Sequence, residues 1–344
     1  MKILITGTAG FIGLSLTKVL AAHGHTILGI DNLSPVKNND SIKVDRLNEL
    51  GIHEVKQNQE TKSSSYKNLQ FIKLDISHED QLEKIFTEHN FDAVIHLAAK
   101  TGVRSAPEEN TEYVKSNVLG FTNIIENVRK FNIKNFFFAS SSSVYGDASE
   151  NSLAVETPLG QPLNIYAATK QSDESIAEAY YHMYKTPSVG LRFFTVYGPW
   201  SRTDMAMYNF TEAIFSGKEI HLFNEGEMFR DFTYIDDVIR AIQLLLNKTP
   251  IVGHHIFNVG SEKPKQIIEL IQLLEKGTNK EAKLKLSPKP KSDMVYTCSD
   301  NGELRDEYNF SPQTEFKEGV KQFLNWYFNY KGIEGYIKDY RENT

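Results

Sequence analysis

Residues Lys2-Ile3-Leu4-Ile5-Thr6 form a short apolar run that halts at a glycine, and Gly7-Thr8-Ala9-Gly10-Phe11-Ile12-Gly13 then opens a helical pattern reaching Ala22. An apolar run this short, ended by glycine, predicts a buried parallel strand. Strand, glycine turn and helix in that order put backbone amides at a helix N-terminus. There the dipole favours negative charge, and the missing side chains admit a pyrophosphate. Gly7, Gly10, Phe11, Ile12 and Gly13 are therefore candidate cradle residues. The competing reading is an ordinary strand-to-helix turn with packing glycines, and the strand–turn–helix context argues against it. A second strand, Thr26-Ile27-Leu28-Gly29-Ile30, ends at Asp31-Asn32. A carboxylate about 20 residues beyond the glycine turn can accept ribose hydroxyls and would repel a 2′-phosphate. Asp31, with Asn32, thus favours NAD over NADP.

The alternation of strand and helix patterns continues. Residues 34–69 are polar, with a helix expected over 41–50, and their charges read as a solvated surface excursion. Gln70-Phe71-Ile72-Lys73-Leu74 is the third strand, ending in Asp75-Ile76, and a helix near 79–88 follows. Ala93 to Ala99 is the fourth strand and its tip, where the small residues at Leu97-Ala98-Ala99 suit close approach of a cofactor. His96 reads as a packed strand residue. Helices are expected at about 110–130 and 165–185, flanking the strand Phe136-Phe137-Phe138-Ala139, which runs into Ser140-Ser141-Ser142-Ser143. Serines at a strand tip can hydrogen-bond a substrate hydroxyl. After the strand Ser188 to Phe194 the regular rhythm stops, as expected where a substrate-binding region begins. Arg230 to Asp237 precedes an apolar helix at 238–247, with Asp236 or Asp237 as its expected cap. A strand at 255–259, a helix at about 264–276 and an aromatic helix from Phe316 to Tyr330 complete the pattern.

The chain's 344 residues suffice for one large α/β domain or two sharing a cleft. A net charge of −6 leaves no electrostatic footprint for nucleic acid or an anionic membrane surface. The single cysteine, Cys298, excludes an internal disulfide, and ten histidines scattered without metal-binding spacing give no reason to expect a metal. The first residues run straight into a strand, and no apolar stretch approaches the roughly 20 residues of a membrane span. A cytoplasmic location is expected.

Tyr166-Ala167-Ala168-Thr169-Lys170 carries the chemistry. A tyrosine and a lysine four apart share a helical face. The lysine charge favours the phenolate, a strong base. Alone, such a pair is common on solvated helices. With the glycine turn and the serine run, it makes the chain resemble the short-chain dehydrogenase/reductase superfamily in its extended, sugar-nucleotide-modifying form. Within that group it is most similar to the NAD-dependent UDP-glucuronate 4-epimerases. The resemblance is carried by Thr6 to Gly13, Asp31-Asn32-Leu33, His96 to Ala99, Gly102-Val103-Arg104, Ala139 to Gly146, Tyr166 to Lys170, Arg192 to Trp200 and Arg230 to Asp237.

The resemblance implies a Rossmann-type, doubly wound parallel sheet with a smaller C-terminal α/β substrate-binding domain. Residues 1–192 and returning segments at about 230–260 would hold NAD. Residues 193–229 and 261–330 would hold a UDP-sugar, and 331–344 would be a tail. It implies that Tyr166 takes the proton of the sugar's 4-hydroxyl during oxidation at C4, and that the 4-keto sugar turns over before it is reduced on the other face. Lys170 would bond the nicotinamide ribose and Ser141 the 4-hydroxyl, with Ser142 and Ser143 lining the pocket. Asp75 and Ile76 would lie against the adenine. Arg202 would face a C6 carboxylate, Asn224, Arg230 and Asp293 would bind uridine and diphosphate, and Arg104 and Thr195 would be further substrate contacts. A homodimer through the helices at 110–130 and 165–185 is also implied.

Two absences narrow the reaction. A 4,6-dehydratase of this superfamily carries an Asp-Glu where Ser142-Ser143 stand, and a UDP-glucuronate decarboxylase carries a glutamate at Ser143. Epimerisation needs neither acid. The segment Ser201-Arg202-Thr203-Asp204-Met205 departs from the family's Gly-Arg-Pro-Asp-Met, as do Lys100-Thr101, Ser105 and Ser292. A UDP-glucose/galactose or N-acetylhexosamine 4-epimerase is therefore the alternative, and a catalytically silent NAD-binding homologue the alternative from outside the enzymes.

Overall fold

A computed structural model describes residues 1–36, 39, 41–102, 106–146, 148, 152–290 and 293–333. In chain order, β1 (Lys2–Thr6) leads to α1 (Phe11–Ala22), β2 (Thr26–Asp31), α2 (Ile42–Glu49), β3 (Glu60–Lys62), β4 (Leu69–Lys73), α3 (Glu79–Glu88) and β5 (Ala93–His96). The short α4 (Asn110–Tyr113) runs through a π-helical stretch, Val114–Leu119, into α5 (Gly120–Lys130). Then come β6 (Phe136–Ser141), α6 (Ile165–Tyr184), β7 (Ser188–Phe193), β8 (Thr195–Tyr197), α7 (Ala206–Ser216) and β9 (Glu219–Phe223). The remainder is β10 (Phe229–Arg230), β11 (Phe232–Tyr234), α8 (Ile235–Asn247), β12 (His254–Val259), β13 (Lys265–Gln266), α9 (Ile267–Thr278), β14 (Lys283–Ser287), α10 (Gly302–Tyr308) and α11 (Phe316–Lys331).

Among the described residues, eight strands make one sheet in the order β12-β7-β6-β5-β1-β2-β4-β3. Every neighbour is parallel except β3, which pairs antiparallel with β4 at the edge. The strands are apolar on both faces because both faces are covered. Ile3 and Ile5 enter one core while Leu4, between them, enters the other. Phe136, Phe137 and Phe138 are all buried in the same alternating way, and deleting one such ring costs about 3–5 kcal/mol. From β1 the chain winds outward through β2 and β4, then crosses back to β5 and winds the other way. The tips of β1 and β5 therefore flank the switch point where ligands bind in open α/β sheets. The expected doubly wound sheet is present, and the described residues add the two-stranded sheets of β8 with β11, β9 with β14, and β10 with β13.

Two expectations need correction. The charges of residues 34–69 are not all a solvated surface: Arg46 on α2 is 1% exposed. It donates from Nη1 to Ala9 O (3.2 Å) and from Nη2 to Trp200 O (2.8 Å) and Ser201 O (3.3 Å). Three carbonyls from two distant segments replace the water that the guanidinium gives up. Beside it Trp200 packs on Trp326 and Tyr330 of α11 at 5.3 and 5.2 Å between ring centres, and Tyr330 donates to Asp45 (2.6 Å). Nor does Asp236 or Asp237 cap α8. Tyr234, the last residue of β11, is the N-cap, and both aspartates lie in the first turn. Pairing of β11 with β8 brings the chain into the helix earlier than the apolar pattern suggests. There the carboxylates still suit the positive helix end, and Asp237 accepts the amides of Gln313 and Thr314 (2.9 and 3.1 Å).

Candidate active site

The glycine turn is built too tightly for side chains. Gly7 has φ +75°, and a Cβ there would sit 2.7 Å from Ala98 N, so β1 and β5 can meet at the switch point only with glycine in that place. A Cβ on Gly13 would lie 2.0 Å from Gly7 O. Gly7 N donates to Ile30 O (2.8 Å) and Gly10 N to Gly7 O (2.8 Å), which fixes the turn. Gly10 is the N-cap of α1 and supplies no side-chain cap, so the helix presents its amides uncapped. Phe11 is buried and Ile12 half-buried behind the turn. A backbone cradle with no room for Cβ atoms, opening on an uncapped helix start, fits a dinucleotide pyrophosphate.

Around this cradle stand the other expected cofactor residues. Asp31, at the end of β2, is buried and accepts Leu33 N (2.8 Å) and Lys43 Nζ (2.9 Å). Asn32 donates to Asp75 Oδ2 (3.0 Å). Burial opposes ionisation of Asp75, but the Ser77 amide and the Asn32 and Ser77 side chains hold its carboxyl below the usual range. Ile76 is buried against Gly120, where a Cβ would meet its Cδ1 at 2.7 Å. Leu97 and Ala98 are tied back to Thr6 (3.1 Å each) and remain half-buried with Ala99. His96 bonds Thr6 Oγ1 through Nδ1 (2.7 Å), and burial, then the Lys170 charge, pull it down to about 3. It is a neutral packed residue, as expected.

The tip of β6 meets the first turns of α6. Asn164 caps α6 by accepting Ala167 N (2.9 Å), which sets Tyr166 in the first turn and Lys170 one turn on. Lys170 is 1% exposed and donates to Ala139 O (2.9 Å) and Asp173 Oδ2 (3.0 Å). Burial alone would lower the Lys170 ammonium, yet Asp173 and Tyr166 outweigh it and the group titrates above its ordinary value. Burial pushes the Asp173 carboxyl up to about 6 against the pull of Lys170. Ser141 Oγ accepts Ser143 N (3.2 Å), leaving its own O–H to donate. Ser143 Oγ is enclosed with no hydrogen-bond partner among the described residues. Behind the tip, Glu174 holds Arg192 by two hydrogen bonds (2.9 and 2.8 Å) and Ser140 Oγ donates to the same carboxylate (2.5 Å).

Of the expected substrate residues, Arg202 lies with Gly102, Tyr113 and Asp204. A Cβ on Gly102 would be 3.3 Å from Tyr113 Oη, 3.7 Å from Arg202 Nη2 and 3.8 Å from Asp204 Oδ2. Asp204 already takes the Nε and Nη2 donors of Arg202 (3.0 and 2.6 Å), leaving the end-on Nη1/Nη2 edge for a second carboxylate. Tyr113 Oη donates to the carbonyls of Thr101 and Gly102 (3.1 Å each). Burial, then Glu109, push this phenol up to about 12, with Tyr166, Arg202 and Asp204 near enough to contribute. Arg230 donates to Phe229 O, Met294 O and Val295 O (2.8, 2.7 and 3.3 Å), which brings it beside buried Asp293. Thr195 begins β8, and half-buried Asn224 has φ +51°. Arg104 lies outside the described residues, as do Ser105 and Ser292. Reading the sequence missed Asp173, Tyr113, Asp204 and Lys43. Asp173 had a visible signal, a carboxylate three residues beyond Lys170 on one helix face. The others depend on chain segments that meet only in the fold.

A family model described as the NAD dependent epimerase/dehydratase family matches residues 3–260. The chain is 38% identical to protein CapI of Staphylococcus aureus, over 96% of this chain and 99% of that one. It is 37% identical to a UDP-glucuronate 4-epimerase of Thermodesulfobacterium geofontis, over 94% of this chain and 95% of that one. Among solved structures, the UDP-glucuronic acid 4-epimerase of Bacillus cereus, in complex with UDP-glucuronic acid and NAD, superimposes with a TM-score of 0.85 at 31% identity, covering 96% of this chain and 100% of that one. Matched over most of its length by the family model and nearly end to end by these relatives, the chain belongs to the NAD-dependent epimerase/dehydratase family.

Proposed function

We propose that the protein interconverts UDP-glucuronate and UDP-galacturonate by NAD-dependent epimerisation at C4. The observation that carries this reading is the nearly end-to-end likeness to a UDP-glucuronate 4-epimerase, in a chain whose Tyr166 and Lys170 lie one turn apart on α6 and whose Lys170 bonds Ala139 O, two residues before Ser141. The glycine turn, Asp31 and Asp75 would hold the dinucleotide, with Lys170 reaching its nicotinamide ribose. NAD, when bound, supplies the oxidising and then the reducing equivalent at C4. Tyr166 Oη takes the proton from the 4-hydroxyl and gives it back on the opposite face, while Ser141 orients that oxygen. Lys170 places a positive charge one helical turn from that phenol. The 4-keto uronate is a β-keto acid, and Arg202, gripping its carboxylate, limits loss of CO2 by holding that group out of line with the carbonyl.

On this reading residues 1–192 and about 230–260 serve NAD, and residues 193–229 and 261–330 serve the UDP-sugar. Arg230 and Asp293 would meet the nucleotide. The reaction belongs in the cytoplasm, where NAD and nucleotide sugars are made, and its product suits the assembly of a surface polysaccharide. No described helix is long and apolar enough to cross a membrane. A homodimer would cover Val114, Leu119, Met183 and Tyr184, large apolar side chains left exposed along the helical segments at 110–130 and 165–184.

The pairing of Arg202 with Asp204 favours a second reading, a neutral hexose or N-acetylhexosamine, since that carboxylate already balances the guanidinium. Arg202→Met separates the two. With a uronate substrate, kcat/KM should fall roughly 100-fold or more because a charge-assisted pair is lost, while turnover of UDP-glucose changes only a few-fold. Equal losses on both sugars would refute the uronate reading.

A further inference from the structure

Lys170 is an ammonium shut inside the protein, and charge there needs a counter-ion. Its neighbours come from three elements. Tyr166, Asp173 and Glu174 belong to its own helix α6, the Ala139 carbonyl to β6, and His96 to β5. Glu174 is committed to Arg192 through both oxygens. His96 remains neutral, and Ala139 offers only a dipole. Among the described residues the carboxylate in contact with the ammonium is Asp173, 0% exposed, with Oδ2 3.0 Å from Nζ and Oδ1 enclosed without a hydrogen-bond partner. An ionised carboxylate with one oxygen unsatisfied is costly to bury unless a charge beside it compensates. Each ion of this pair therefore depends on the other.

We propose that Asp173 is a positioning residue of the active site: it keeps Lys170 an ammonium inside the protein and so sets the alkaline limit up to which the Tyr166–Lys170 pair works. The proposal rests on the epimerase reading for what the pair does, and not for which sugar it acts on. Asp173 reaches no substrate; it acts through Lys170.

The sign of the effect follows from the two charges. Asp173→Asn keeps an oxygen on Nζ and removes the negative charge. Burial then acts on Lys170 unopposed, its proton leaves at lower pH, and the alkaline limb of turnover moves down. The alkaline limb of the kcat profile of the NAD-loaded variant should therefore shift to lower pH by roughly one unit or more. A carboxylate with only a structural part would lower kcat or thermal stability and leave that limb in place. Superimposed alkaline limbs in wild type and Asp173→Asn overturn the proposal.

Should Asn not be tolerated, Asp173→Ser removes the same charge. The Lys170 nitrogen can also be followed directly by NMR in lysine-labelled protein, identified as the resonance absent from Lys170→Met. That titration needs no sugar. If Lys170 loses its proton at the same pH with and without Asp173, the proposal fails. If it loses it at lower pH in the variant while wild type turns over no UDP-sugar, the epimerase reading fails and the role of Asp173 stands.

Discussion

Tyr166→Phe is expected to lose turnover by at least about 100-fold, and up to about 10,000-fold, the range that a positioned general base contributes. The substitution removes one oxygen from a half-buried ring in the first turn of α6. Asn164 caps that turn through Ala167 N, and neither group involves the phenol oxygen. The Lys170 bonds to Ala139 and Asp173 also persist without it. Fold, thermal stability and bound NAD should therefore survive, which separates loss of the base from loss of the site. The check is kcat on UDP-glucuronate beside the NAD released when each protein is denatured. A variant that keeps more than a tenth of wild-type turnover would show that another group takes the proton.

Gly13→Ala is the second large effect, and it should act on the cofactor. In an ordinary helix alanine outdoes glycine by about 1 kcal/mol. Here the added Cβ would fall 2.0 Å from Gly7 O and 3.0 Å from Thr8 Cα, both backbone atoms that no side-chain rotation can clear. The turn must open, and the amides proposed to face the pyrophosphate then lose their convergence. We expect protein that purifies with less than about a tenth of the wild-type NAD content, a loss of roughly 1.4 kcal/mol or more in binding. Turnover without added NAD should fall in proportion and recover in part with excess NAD. NAD content equal to wild type would mean that the turn yields without cost and is not the cradle.

Much of the fold was legible because its signals are local. The β1 run stops at a glycine, and three phenylalanines of β6 run into serines. Tyr166 and Lys170 sit four apart on one helix. Each pattern lies within a few residues, and each became the expected element. β3 was not visible, since Glu-Thr-Lys carries no apolar alternation and is a strand only because β4 offers an edge. Arg46 read as a surface charge for a related reason. Its three carbonyl partners come from residues 9, 200 and 201, and nothing near position 46 announces them. The candidate site divides in the same way. The glycine turn and the Tyr–Lys pair could be named from spacing, whereas the company that Arg202 keeps with Gly102, Tyr113 and Asp204 is set by chain crossings. Asp173 lies between these cases: its place on the helix face of Lys170 was readable, but its burial was not.

The central claim is most directly tested by incubating the purified protein with UDP-glucuronate and no added cofactor, then resolving the nucleotide sugars by anion-exchange chromatography and proton NMR. A mixture of UDP-glucuronate and UDP-galacturonate, with no other product, is the expected result and establishes the reaction, the uronate substrate and retained NAD at once. A UDP-pentose would contradict the proposed protection of the keto acid by Arg202. No product even after NAD is supplied would contradict the epimerase assignment for this sugar.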